Sequence, residues 1–255
     1  MKRTTTNPIL FSFLCALILS ACGNDIEEKN QIDEDIFDPN SSLHAIFDDK
    51  LFSIPSPVQT GYLLKQLNLS FDESLLHDDA SVSEYVTEYR QALNLGIYGT
   101  DLGYAALYSQ KNISMRYLNA VEKLTAQLGL DAAFDTSFIS QFEKHNDDED
   151  AMIILMSEAF KKADYFLKNA DRKSTSALIL TGGWIESLYF ACELNSKKSS
   201  KEIKRRIGEQ KESLLSIIDL LSEYNKDGNN DELINRLGVL KTSFDKITMN
   251  YEYAA

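Results

Sequence analysis

The sequence predicts an all-α fold, a bundle of about nine helices in two pseudo-repeated halves that share one core. Three observations carry that expectation. The chain of 255 residues holds only 4 Pro, and none lies beyond Pro57. No long Val/Ile/Thr alternation marks a sheet, and apolar residues instead recur at helical spacing between capping residues. Apolar residues make up 44% of the chain, enough to supply a core.

The helices are read in order from period and caps. A first helix over residues 57–68 begins at Pro57, where a missing N–H costs nothing. A second covers Ser83 to Asn94 and a third Leu95 to Ser109. A fourth starts near Ser114, with Tyr117, Val121, Leu124 and Leu128 on one stripe and Gly129 as its stop. A short helix covers residues 135–145. The acidic run Asp147-Asp148-Glu149-Asp150 then sits where negative charge favours a helix start, and that helix runs to Asn169. Ser174 or Thr175 caps the next, which holds Trp184. Ser200 caps another that reaches Tyr224. The last begins near Asn230 and carries Leu233, Leu237, Leu240, Phe244 and Ile247 on one face.

The two halves are suggested by an internal echo. Residues 95–106 can be laid on residues 180–191, which aligns Asp101 with Glu186, Tyr104 with Tyr189 and Ala106 with Ala191. These windows contain five of the eleven Gly residues, an expensive choice inside a helix unless another backbone comes close. One reading is a central helix pair with tight Gly crossings and Tyr hydroxyls satisfying the carboxylates. The other is a ligand pocket in which Tyr98, Asp101, Tyr104, Trp184, Glu186 and Tyr189 supply aromatic walls and polar anchors. An acid/base couple of Asp101 and Glu186 is the catalytic version of the same site.

Before the body lies an address. Lys2 and Arg3 precede an apolar run from Ile9 to Leu19, then Leu19-Ser20-Ala21-Cys22. A basic end, an apolar middle and small residues at a boundary form a secretory signal. The run rises only ~16 Å as a helix, about half a hydrocarbon core, so a permanent membrane helix is the weaker reading. Leu19 to Cys22 resembles the lipobox of bacterial lipoproteins, which implies that residues 1–21 are removed and Cys22 is acylated. Loss of Lys2 and Arg3 would take the formal charge from -13 to -15. Cys192 would then be the remaining thiol, expected as a small buried hydrophobe.

Residues 22–53 are read as the lipidated Cys and an acidic, disordered tether, and residues 54–255 as a single domain. Seven acids and one Lys fall in residues 23–40. Such acids soon after the Cys resemble the surface-export signals of Bacteroidota lipoproteins. Either the cell surface or the periplasmic face of the outer membrane would suit the chain.

Charge and motif narrow the partners. The acidic balance argues against broad nucleic-acid binding. Residues 197–211 reverse it locally, with Lys197, Lys198, Lys201, Lys204, Arg205 and Arg206 as a candidate patch for an anionic partner or lipid phosphate. Residues 225–231 have the look of a calcium loop, but Ile234 occupies the position that needs a bidentate acid. Three scattered His and the lack of a phosphate loop leave no metal and no cofactor expected.

Pro55-Ser56-Pro57, the glycine-rich stretch 95–104 and Gly182-Gly183-Trp184-Ile185-Glu186 resemble all-helical Bacteroidota envelope lipoproteins of uncharacterised activity. That resemblance implies an envelope location and carries no catalytic residue. Imelysin-type envelope proteins are a second comparison, but their His-x-x-Glu signature is absent here. The expected function is a membrane-anchored envelope lipoprotein whose helical domain binds a protein or small ligand or acts as a scaffold. An envelope hydrolase using Asp101 and Glu186 is the alternative.

Overall fold

A computed structural model of the chain describes residues 44–48, 50–54, 64–66, 68–131, 136–145 and 147–248. All belong to one compact unit, Asp33–Ala255. The expected signal segment, Cys22, the expected tether up to residue 43 and most of the first expected helix lie outside the described residues.

The described residues form a helical bundle with one small hairpin. In order come β1 (His44–Phe47), β2 (Lys50–Ser53), two 3-10 helices (Glu73–Leu75 and Asp79–Glu84), α1 (Glu88–Leu107) and α2 (Lys111–Leu128). They are followed by α3 (Thr136–His145), α4 (Glu149–Asn169), α5 (Lys173–Lys197), α6 (Lys201–Glu223) and α7 (Asp231–Phe244). The expected all-α bundle of about nine helices is therefore present, as seven α-helices and two 3-10 helices among the described residues.

The hairpin corrects the expected domain start at residue 54. β1 pairs antiparallel with β2, Ala45 opposite Phe52 and Phe47 opposite Lys50. Phe47, Phe52 and Ile54 are buried in the main core. Each strand has four residues, too short for an alternation to stand out, but their rings anchor them to the helices. Lys168 Nζ lies 3.8 Å from the centre of the Phe47 ring, and Lys50 Nζ reaches Glu223 at 2.6 Å.

Several helix bounds also differ from expectation. Residues 83–94 and 95–109 do not form two helices: one continuous α1 begins after Thr87, whose side chain accepts from Arg90 N–H. Within it, Gly96 packs against α5 and Gly99 against α4. α2 begins at Lys111 rather than Ser114, and Ser114 Oγ donates back to the Gln110 carbonyl. Gly129 ends α2 in the left-handed region, as expected.

Asp148 caps α4 by accepting from Ala151 N–H, with Glu149 and Asp150 in the first turn. The expected Ser174 or Thr175 cap is absent, because α5 starts at Lys173 and Thr175 Oγ1 donates to Glu88 at 2.7 Å. Ser200 does cap α6. Asn230 stands at the cap of α7 without a side-chain cap bond.

α1 and α5 form the centre of the bundle, with α2 and α4 on α1, α4 and α6 on α5, and α7 on α6. α5 has the length and apolarity of a membrane span, yet α1, α4 and α6 cover it as a core helix. A smaller apolar cluster of Leu64, Leu69, Tyr104, Phe190, Leu194 and Ile203 lies apart from the main core.

Candidate functional site

The α1–α5 crossing is built on glycine. A Cβ at Gly96 would lie 2.0 Å from the Ile179 carbonyl oxygen, and one at Gly182 would lie 1.9 Å from that of Leu93. Two backbones therefore touch where side chains would hold them apart. Thr100 Oγ1 seals the contact, donating to the Gly96 carbonyl at 2.9 Å with the Gly183 carbonyl at 3.3 Å. The three glycines of α1 do not serve one neighbour. Gly99 faces the Phe160 ring of α4, and Gly103 has nothing within 4 Å of an added Cβ.

Asp101 of α1 and Glu186 of α5 are both buried at this crossing. Burial raises the Asp101 carboxyl well above its ordinary range, and the charge of Glu186 raises it further. The His77 backbone N–H opposes this by donating to Asp101 Oδ2 at 3.3 Å. Asp101 Oδ1 has no hydrogen-bond partner. Glu186 is raised to about 7 by burial and has no hydrogen bond or ion pair among the described residues. Two like charges in a dry site cannot both be retained cheaply, so the pair holds proton at neutral pH.

The tyrosines do not satisfy these carboxylates. Tyr98 Oη donates to the Asp78 carbonyl at 2.7 Å, and Tyr104 Oη accepts from Asp72 N–H at 3.1 Å. Tyr117 of α2 donates to the His77 carbonyl. Tyr98, Asp101 and Tyr104 thus hold one segment, residues 72–78, laid along α1. The groups expected to grip a ligand grip the chain's own backbone.

Segment 72–78 is further fixed by its neighbours. His77 Nε2 pairs with Tyr85 Oη at 2.8 Å, and burial holds the imidazole below its usual pKa. Asp72 bonds Lys197 and Ser74, which keep its carboxyl near 2. The Arg116 guanidinium reaches Glu73 at 2.7 Å.

The six candidate pocket residues therefore do not share one environment. Trp184 is buried with its Nε1–H donated to Gln210 Oε1 of α6 at 2.9 Å. Tyr104 packs between Phe71 and Phe190 in the smaller cluster. Tyr189 is 42% exposed. Electrostatically, Asp101 acts on Tyr98, and Glu186 acts on Asp101 and, from inside, on the exposed Tyr189. Cys192, expected inside, is exposed on α5.

The basic segment is partly neutralised. Lys197 pairs with Asp72, and Arg205 and Arg206 with Glu209. Lys198, Lys201 and Lys204 are exposed and make no salt bridge among the described residues. In the loop before α7, Asn225 closes on itself, its Oδ1 accepting from Asn230 N–H at 2.8 Å and its Nδ2 donating to Asp231. Among the described residues no three His, Cys, Asp or Glu are grouped to hold a metal.

Sequence reasoning passed over His77, Gln210 and segment 72–78. Their roles arise from backbone atoms and an amide brought in from distant positions, which leave no periodic signal. Comparison with protein families, curated proteins and solved structures gives no family model, no curated protein and no solved structure that matches the chain.

Proposed function

We propose that the chain is a lipid-anchored cell-envelope protein of the outer membrane whose helical body binds or scaffolds a partner rather than carrying out hydrolysis. The observation that carries the anchor is Leu19-Ser20-Ala21-Cys22 following a basic end and a short apolar run. α5 does not compete as the membrane link, because its apolar surface is used inside the bundle.

The state of the two carboxylates supports a binding or scaffolding body. A glycosidase-like couple needs one ionised carboxylate and one acid beside an open path for sugar and water. Asp101 is 0% exposed and Glu186 7%, both raised toward the neutral acid, and segment 72–78 lies along Asp101. These groups specify how α1, α5 and that segment fit together.

The test is metabolic labelling of cells with a radiolabelled fatty acid. The natural chain is expected to take up label and partition with membranes, and Cys22→Ala to lose both. Persistent label on Cys22→Ala would sink the anchor. The membrane face is read separately. Neutralising Asp25, Glu27 and Glu28 is expected to lower surface labelling of intact cells if they act as an export signal.

A further inference from the structure

A cleft of about 240 Å3 opens where the hairpin turn, the α4–α5 corner and the α6–α7 loop meet. One wall is already locked. Asp48 accepts from Lys173 Nζ and, at 2.7 Å, from Tyr224 Oη, so the hairpin turn is tied to both helices. Asn225 is likewise consumed, by Asn230 N–H and Asp231, but five other lining side chains are not. The side chains of Asp171, Ser174, Lys226, Asp227 and Asn229 make no hydrogen bond or salt bridge among the described residues.

Asn230 also lines the cleft and gives the second, independent observation. It is 2% exposed, and its Oδ1 has no hydrogen-bond partner. Its own backbone N–H is held by Asn225 Oδ1, so the residue is fixed in place with its amide unused. Buried amides left unpartnered cost free energy, and native structures keep few of them without a reason. Asn230 and Arg172 also stand at the starts of α7 and α5, and neither helix has a side-chain cap.

The charge pattern selects the ligand. A cation is opposed by Lys173 and Lys226 and by the lack of a metal-binding trio among the described residues. A simple anion is opposed by Asp48, Asp171 and Asp227. No Leu, Ile, Val or Phe lines the space to favour an apolar molecule. Carboxylates, amides and a hydroxyl close together suit vicinal hydroxyls, each of which donates to one oxygen and accepts from one N–H. A cleft smaller than the ~300–1,000 Å3 of drug-sized sites fits a single ring.

The geometry points to this cleft as a binding site for a neutral polyhydroxylated ligand, one sugar ring of a glycan. This inference goes beyond the proposed anchor and stands whether or not Cys22 is acylated.

The test is saturation-transfer NMR on the full chain in detergent micelles, with D-glucose, D-galactose, D-mannose and N-acetyl-D-glucosamine as separate probes. Transfer to at least one sugar is expected. Asp171→Asn with Asp227→Asn is expected to weaken it roughly tenfold or more, the scale of losing charge-assisted hydrogen bonds. Asn is chosen because Asp171 has φ 57, which Asn tolerates. Ser174→Ala with Asn229→Ala is a second pair, expected to weaken transfer if the first pair does not fold. Circular dichroism checks each fold. The proposal is overturned by no transfer from any of the four sugars, by equal transfer in folded variants, or by saturable binding of inorganic phosphate or calcium alone.

Discussion

The α1–α5 crossing and the cleft beside Asn230 spend polar groups in opposite ways. At the crossing, polar side chains are drawn into a dry interior and used internally: Thr100 on carbonyls, Tyr98 and Asp101 on segment 72–78. In the cleft, the side chains of Asp171, Ser174, Lys226, Asp227 and Asn229 sit at a junction and make no hydrogen bond or salt bridge among the described residues. A polar cluster is thus a poor guide to ligand binding until its partners are counted. The crossing has the richer chemistry but is closed over by the fold, with Asp101 Oδ1 and Glu186 buried and without a hydrogen bond, while the cleft has plainer residues that are available. Substitutions should follow the same division, costing stability at the crossing and leaving it nearly unchanged in the cleft.

The largest effect should come from adding one carbon at the crossing. An Ala Cβ at Gly182 meets backbone oxygen at 1.9 Å, and at Gly96 at 2.0 Å. Backbone cannot swing aside as a flexible side chain can, so the two helices must separate. Gly182→Ala and Gly96→Ala should each cost more than ~4 kcal/mol, the range of exceptional single substitutions. Gly103→Ala, on the same helix with nothing within 4 Å, should instead be neutral or gain up to ~1 kcal/mol from helix propensity. Denaturant unfolding of the three variants reads the contrast. Equal losses at all three would mean that backbone approach is not what the glycines provide.

An intermediate effect should follow pH. Glu186 titrates near 7 in the fold against an ordinary 4.5, and Asp101 is raised in the same direction. A carboxyl with a raised folded pKa favours the fold while protonated. That advantage is complete below the unfolded value and is lost as pH climbs through the folded one. Stability from this pair should therefore fall from about pH 4.5 through 7, with Glu186 alone accounting for on the order of 2–3 kcal/mol. Asp72, held near 2 by Lys197 and Ser74, acts oppositely and loses its contribution as pH drops below 4. Thermal melts across pH should show Glu186→Gln flattening the neutral limb and exceeding the natural chain in stability at pH 8. Asp101→Asn should do likewise, since the amide oxygen can accept from His77 N–H where Asp101 Oδ2 does and one of two like charges is gone. An unchanged slope in both variants would mean the pair is not the source.

Much of this fold was legible in the sequence because its signals are local. The Tyr117, Val121, Leu124 and Leu128 stripe, the Asp148 and Ser200 caps and the Gly129 stop each depend on neighbours a few residues away. The close approach at Gly96 and Gly182 could be anticipated from the cost of glycine in a helix, although which helix each glycine faces could not. Two four-residue strands leave too few positions for a period, so the hairpin was hidden within what reads as acidic tether. The site was legible only as residue types. Asp101 and Glu186 stood out as carboxylates among apolar neighbours, and they do act on each other. Their surroundings could not be read, because His77 contributes backbone atoms from 24 residues away. The cleft left no sequence mark, since Asp48, Asp171 and Asn230 come from separate segments.

The smallest effect should be in the cleft. Lys226→Ala and Asn229→Ala remove groups that contact nothing polar in the fold, so each should change stability by less than ~0.5 kcal/mol, as exposed positions do. Asn230→Ala is the sharper case. Its side-chain Oδ1 is buried and unpaired, while the bond that organises the loop uses its backbone N–H with Asn225 Oδ1. Ala keeps that bond and removes the unpaired amide, so the variant should be as stable as the natural chain or slightly more so. Asn225→Ala, which breaks the same bond from the other side, should cost about 1 kcal/mol. Urea unfolding of the two variants separates them. If Asn230→Ala proves as costly as Asn225→Ala, the Asn230 amide is used by the fold and the cleft resembles the crossing after all. If Asn230→Ala is neutral, the fold has no use for that amide, and an external partner becomes the reason to retain it.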